Sequence, residues 1–153
     1  MKKESEFELA ATDAIISSAK EFPAVNLGMG PSRYVKGGRY FEFEKINETG
    51  FNVGLEVFEY GVYPYADGWH GAPWDVTIWQ LEELSKSIRE FIRSTLTPVG
   101  CLEVHYSNDK PYKYILNHSF EGGLVADETG LFFFNWFGTR SQKFFINDAQ
   151  NSA

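Results

Sequence analysis

Cysteine is almost missing from this chain. Cys101 is the only one in 153 residues, so no disulfide can form within the chain. That suits a reducing cytoplasm, and a lone thiol at a strand start reads as a small buried packing residue. Long apolar runs are missing as well. Nothing approaches the ~18 residues of a membrane-spanning segment. Met1 to Glu8 is charged and has no apolar stretch, so no signal peptide is expected there. Basic residues are few: 14 Lys and Arg stand against 21 Asp and Glu, a formal charge of −7. This argues against a nucleic-acid backbone as partner and permits a basic one, though such a balance also serves plain solubility.

Signatures of chemistry are absent too. His70, His105 and His118 are the three histidines. None has a second His, Cys or paired acid at metal-ligand spacing. There is no Walker, zinc or G-x-S-x-G pattern. Gly28-Met29-Gly30 lacks both the third glycine and the following helix of a dinucleotide loop. No catalytic residue, metal or cofactor is assigned. His105 and His118 sit in separate predicted strands and could meet only if the pairing put them on one face.

What is abundant is aromatic: 14 Phe, 8 Tyr and 4 Trp, residues that favour strands and anchor interfaces. A chain of this length can bury roughly 68–70% of its unfolded surface as one domain without staples.

One segment stands out as helical, from about Thr77 to Leu96. Thr77 and Gln80 have capping-box spacing, with Val76 placed to staple onto Leu81. Leu81, Leu84, Ile88, Phe91 and Ile92 recur at helical intervals. Glu82, Lys86, Arg89, Glu90 and Arg93 fill the other face, and Pro98 and Gly100 end the helix. A short helix is also expected within Ala10 to Phe22, after a loose arm over residues 1–8.

Strand alternation is clearest in Arg39–Ile46 and Phe51–Tyr63, joined by Asn47 to Gly50. Val25 to Pro31 reads as a turn. After the helix, strands are expected at Cys101–Ser107, Tyr112–Phe120, Leu124–Ala126, Leu131–Phe137 and Lys143–Ile146. Asp127 to Gly130 reads as a turn, and Asn147 to Ala153 as a polar tail. The expectation is an α+β fold, a mostly antiparallel sheet of about six to seven strands packed on one long helix.

Function is sought first in the long connection Tyr63–Asp75, because loops of ~12 residues often carry it. Trp74, next to the helix start, reads as a core plug. Trp69, flanked by Gly68 and Gly71, reads with Tyr63, Tyr65, Asp67 and Asp75 as an exposed protein-contact patch. His70 with Asp67 or Asp75 is the acid–base alternative, in a small-molecule or enzyme pocket. Glu121, Asp127 and Glu128 form a second candidate contact surface if neighbouring turns bring them together. Self-association through the aromatics is a third possibility.

The order of parts over residues 39–137 resembles small bacterial immunity proteins of the WapI-like kind. These parts are a strand pair, a Trp-containing segment, a helix opening Leu81-Glu82-Glu83-Leu84, a glycine and further hairpins. Two Trp in a long segment before the helix depart from that pattern. The resemblance implies a cytoplasmic, non-enzymatic binder that neutralises a toxin domain, with no catalytic residues to carry over.

Overall fold

The computed structural model describes residues 5–34, 36–130 and 138–149. The aromatic run Leu131 to Phe137, expected as a strand, lies outside them.

Both expected helices form, and the first is longer than expected. α1 runs Glu6–Lys20, because the Ser5 hydroxyl accepts from the Glu8 N–H at 3.1 Å and donates to the Glu8 carboxylate at 3.3 Å. That pairing satisfies an early orphan donor and draws residues 6–8 out of the expected loose arm. Phe7, Ala11, Ala14, Ile15 and Ser18 are its buried side. α2 spans Leu81–Thr95, and Leu84, Ile88, Phe91 and Ile92 are buried as their spacing predicts.

The start of α2 differs from expectation. Asp75 Oδ1 accepts from both the Thr77 N–H (2.8 Å) and the Thr77 hydroxyl (2.7 Å). This Asx-type turn uses up the Thr77 hydroxyl. Gln80 therefore occupies the N-cap with no side-chain capping bond. Val76 and Leu81 both stay exposed, so the staple is not made. The helices lie against each other, pinned at one end by Arg93, whose Nη2 meets Glu21 Oε1 at 3.0 Å.

Ten strands form two antiparallel sheets among the described residues. The first contains β1 (Leu27–Pro31), β2 (Arg39–Phe43), β3 (Val53–Val57), β4 (Gly61–Ala66), β5 (Trp69–His70) and β6 (Trp74–Asp75). Its order is β1-β2-β3-β4-β5, with β6 on the other end of β4. The second contains β7 (Cys101–Ser107), β8 (Lys110–Phe120), β9 (Gly123–Gly130) and β10 (Arg140–Phe145), ordered β10-β7-β8-β9. The α+β class stands. The single expected sheet of about six to seven strands is corrected to two sheets with ten strands among the described residues, and the expected short first helix is as long as the second.

Three segments read as turns or loop are strand. Leu27–Pro31 pairs with β2, Asp127 to Gly130 lies inside β9, and much of 63–75 belongs to β4, β5 and β6. The hairpin between β8 and β9 turns at Glu121 and Gly122, both at positive φ (50° and 81°). That is the geometry that matches strand twist in a two-residue loop. No helix among the described residues is long and apolar enough to cross a membrane.

The inner face of the first sheet carries Phe41, Phe43, Val53, Leu55, Val57 and Val62, all buried with the helix stripes. The second sheet adds Leu102, Val104 and Leu116. The expected polar tail is partly interior. The Asn147 side chain is buried; its amide donates to the carbonyls of Phe51 (2.9 Å) and Thr95 (3.0 Å). Its Oδ1 accepts from the Phe51 N–H at 3.0 Å. One amide thus ties the end of α2 to the entry of β3. Asn147→Ala leaves three buried backbone groups without partners, and each such loss is costly. Urea melts should show a loss of about 2–4 kcal/mol; a loss under about 0.5 kcal/mol would mean that solvent replaces the amide freely.

Candidate functional site

The candidate site arises from the outer face of the first sheet. Side chains alternate across a strand, so the residues opposite Phe41, Leu55 and Val57 point away from the helices. The register aligns Gly30, Tyr40, Glu56 and Tyr63 in one row across β1 to β4. Gly28, Glu42, Gly54, Tyr65 and His70 form the next row, across β1 to β5. The glycines are needed here. A Cβ on Gly54 would overlap the Tyr65 ring, and one on Gly30 would stand 2.9 Å from Tyr40 Cε1. With only hydrogen at these positions, tyrosine rings can lie across the sheet instead of standing up from it.

These rows floor a cleft of about 830 Å³. Five tyrosines line it: Tyr34, Tyr40, Tyr60, Tyr63 and Tyr65. Glu42, Glu56 and Asp67 supply three carboxylates against one guanidinium, that of Arg33. Arg33 rests over the Tyr40 ring, 5.3 Å from its centroid. Tyr65 donates its hydroxyl to Glu42 Oε1 at 3.2 Å. Burial, then the charge of Glu42, holds the Tyr65 phenol well above its ordinary range, so it remains a donor. Glu56 is only 6% exposed, and its Oε2 has no hydrogen-bond partner.

The residues expected to form a contact patch divide between two faces. Tyr65, Asp67 and His70 line or rim the cleft. Trp69 does not: it is 1% exposed, which overturns its assignment as a contact residue. Its ring stacks on Phe91 at 6.1 Å and meets His118 edge-on at 5.8 Å. Its indole N–H donates to the Asp127 carbonyl at 3.0 Å. Gly68 does not expose it, because Asp67 and Gly68 make a two-residue hairpin that points the next residue inward. Trp74 is buried as expected and packs edge-on against Phe91 at 5.8 Å.

Of the acids in the acid–base alternative, Asp67 lines the cleft together with His70, whereas Asp75 does not line it. Asp67 Oδ1 accepts from Asn52 Nδ2 at 3.0 Å, and Asp75 is held by Thr77. Burial raises the Asp67 carboxyl while the Asn52 bonds lower it, and the bonds from Thr77 lower that of Asp75. The second contact surface is not assembled either. Glu121 sits in the β8–β9 turn, whereas Asp127 and Glu128 pair with Leu116 and Ile115 well along the hairpin. The Asp127 carboxylate, itself exposed, lies 2.9 Å from the buried His118 Nε2. His105 pairs with Lys113, far along the sheet from His118. Burial and Glu103 push the Cys101 thiol up, away from nucleophilic use. Among the described residues no group of three or more His, Cys, Asp or Glu could hold a metal ion.

Sequence reasoning missed Tyr40, Glu42, Glu56 and Tyr63 as one surface. The alternation Phe41-Glu42-Phe43 and Leu55-Glu56-Val57 marks one polar face, but only the register shows that the two glutamates stand on neighbouring strands. No family model matches the chain, and neither a curated protein nor a solved structure gives a significant match.

Two predictions separate the faces. Trp69→Ala should cost about 3–5 kcal/mol in denaturant melts; a loss below about 1 kcal/mol would place the indole outside the core. Tyr65 binds its proton more tightly folded than unfolded, so its contribution is complete below the ordinary tyrosine range and fades as pH rises through the raised folded value. Stability should therefore fall as pH climbs past about 10. Tyr65→Phe should lose about 1 kcal/mol at neutral pH and show a shallower alkaline fall. An unchanged alkaline slope would refute the buried phenol.

Proposed function

We propose that this chain is a non-enzymatic protein-binding module that covers a basic partner with the outer face of its first sheet. We further propose that the partner is a toxin domain, so that the chain acts as an immunity protein in the cytoplasm. The observation that carries this reading is the acidic, tyrosine-lined cleft of Glu42, Glu56, Tyr40, Tyr63 and Tyr65. Tyrosine supplies large contact area with few rotors, and acids at such a surface select and steer a basic partner. The overall charge of −7 acts in the same direction.

A second reading has one observation behind it. A volume of about 830 Å³ falls within the range of small-molecule sites. The rim favours a protein instead. Tyr34 is 77% exposed and Tyr60 71% exposed, so the walls present aromatic surface outward. Exposed aromatic rings around a polar centre are what a partner's surface would cover.

The experiment is to read the gene neighbourhood for a toxin-like frame, whose absence would count against the immunity role, and to titrate the purified product of such a frame with the chain. A stoichiometric complex that weakens with added salt is expected. Tyr60→Ala with Tyr63→Ala should weaken it by about 2 kcal/mol or more, while melts of the free chain stay close to wild type. A complex indifferent to both substitutions would remove the outer face as the binding surface. No complex, with the toxin's activity unprotected, would remove the immunity reading.

A further inference from the structure

The Glu56 carboxylate has no structural task that explains its placement. It occupies the outer face of a central strand, between Tyr40 on β2 and Tyr63 on β4. It is nearly sealed from solvent, yet Oε2 has no partner. Burying an ionised oxygen without a hydrogen bond is costly. Glu42 pairs with Gly54, which places it diagonal to Glu56 on the same face of adjacent strands. Two carboxylates on one face give a cation two acceptors to bridge. Tyr65 serves Glu42 but is not a cation.

The surroundings specify the missing group. Tyrosine faces attract cations, and a planar guanidinium can stack on a ring while its N–H fork reaches carboxylates. The chain already shows that contact at the rim, where the Arg33 guanidinium lies over Tyr40. We infer that the cleft is a seat for one arginine side chain of the protein partner, which parts the rings of Tyr40, Tyr63 and Tyr65 so that its guanidinium donates to Glu42 and to the covered Oε2 of Glu56. This inference rests on the outer face being the binding face and names the anchor that binds there. Glu56 is then strained in the free protein and satisfied in the complex, so its buried charge serves recognition at some expense of stability.

The test uses the isolated chain and three acetylated, amidated tripeptides, Gly-Arg-Gly, Gly-citrulline-Gly and Gly-Lys-Gly, followed by chemical-shift titration. Citrulline keeps the shape of arginine and lacks its charge. The arginine peptide should bind, the lysine peptide more weakly, and the citrulline peptide not measurably. Shifts should centre on Tyr40, Tyr63 and Tyr65. Glu56→Gln should weaken arginine binding about tenfold or more, while the melting temperature of the free variant equals or exceeds wild type. Arg33→Ala should leave that melting temperature nearly unchanged.

Equal binding of the arginine and citrulline peptides, or none of either, overturns the inference. So does a Glu56→Gln variant that binds as wild type. If Glu56→Gln and Arg33→Ala each destabilise and the double variant is no worse than either, Arg33 already serves Glu56 and the seat is filled. These results are separable from failure of the binding-face reading. A toxin complex that depends on Tyr60 and Tyr63 without arginine-peptide binding leaves that reading standing and overturns the anchor. Arginine-peptide binding that needs Glu56, without any toxin complex, supports the seat and overturns the immunity role.

Discussion

Trp69 holds the two sheets and a helix to one another. It belongs to β5, a two-residue strand with little pairing of its own. Its ring stacks on Phe91 of α2 and abuts His118 of β8, while its N–H reaches the β9 backbone at Asp127. A large aromatic body with one polar handle can satisfy all these neighbours at once, which an aliphatic residue could not. The adjoining backbone repeats the link: the His70 N–H donates to Thr129 Oγ1, and that hydroxyl donates to the His70 carbonyl, both at 3.0 Å. The Asp127 carboxylate then holds His118 against the same cluster. The Asn147 side chain bonded to Phe51 and the Ile146 N–H bonded to the Thr49 carbonyl tie the sheets at a second place.

That division of work leaves the other face of the first sheet free. Stability comes from the inner face, where Phe41, Phe43, Val53 and Leu55 are sealed under the helices. The outer face carries glycines under tyrosine rings and glutamates between them, a poor arrangement for packing and a good one for contact. Adjacent residues of one strand, Leu55 and Glu56, thus face opposite sides. A sheet permits this because successive side chains point to opposite faces, so the outer face can change with little effect on the core.

How much of this was legible in the sequence depended on whether the signal was local. The stripe of Leu84, Ile88, Phe91 and Ile92 was legible because helical periodicity needs no partner. So was the alternation of β2 and β3. The stretch 63–75 was read as one long connection, yet most of it is strand. Pro64 sits within β4, opposite Leu55. Its carbonyl accepts from the Gly71 N–H at 3.0 Å, so its missing donor faces that same side, between the short pairings of β5 and β6. The stronger local signal was Asp67-Gly68, a preferred two-residue hairpin pair. It places Trp69 opposite Ala66 and therefore inward.

The remaining misses were contests that sequence could not decide. Thr77 had a capping-box partner in Gln80, but Asp75 lay nearer and took both its N–H and its hydroxyl. Asn147 looked like tail until the fold brought it to Phe51, 96 residues away in sequence. Glu42 and Glu56 belong to the same class. Each alone is an ordinary solvent-side residue of an alternating strand. Only the β2–β3 register makes them diagonal neighbours, and only the rings over Gly54 and Gly30 close the space around them. The same long-range pairing that hides the site from sequence also gives it its chemistry. The surroundings of Glu56 on β3 are set by neighbours from three other strands, Gly30 of β1, Tyr40 and Glu42 of β2, and Tyr63 and Tyr65 of β4, and a buried oxygen without a partner is what that convergence leaves.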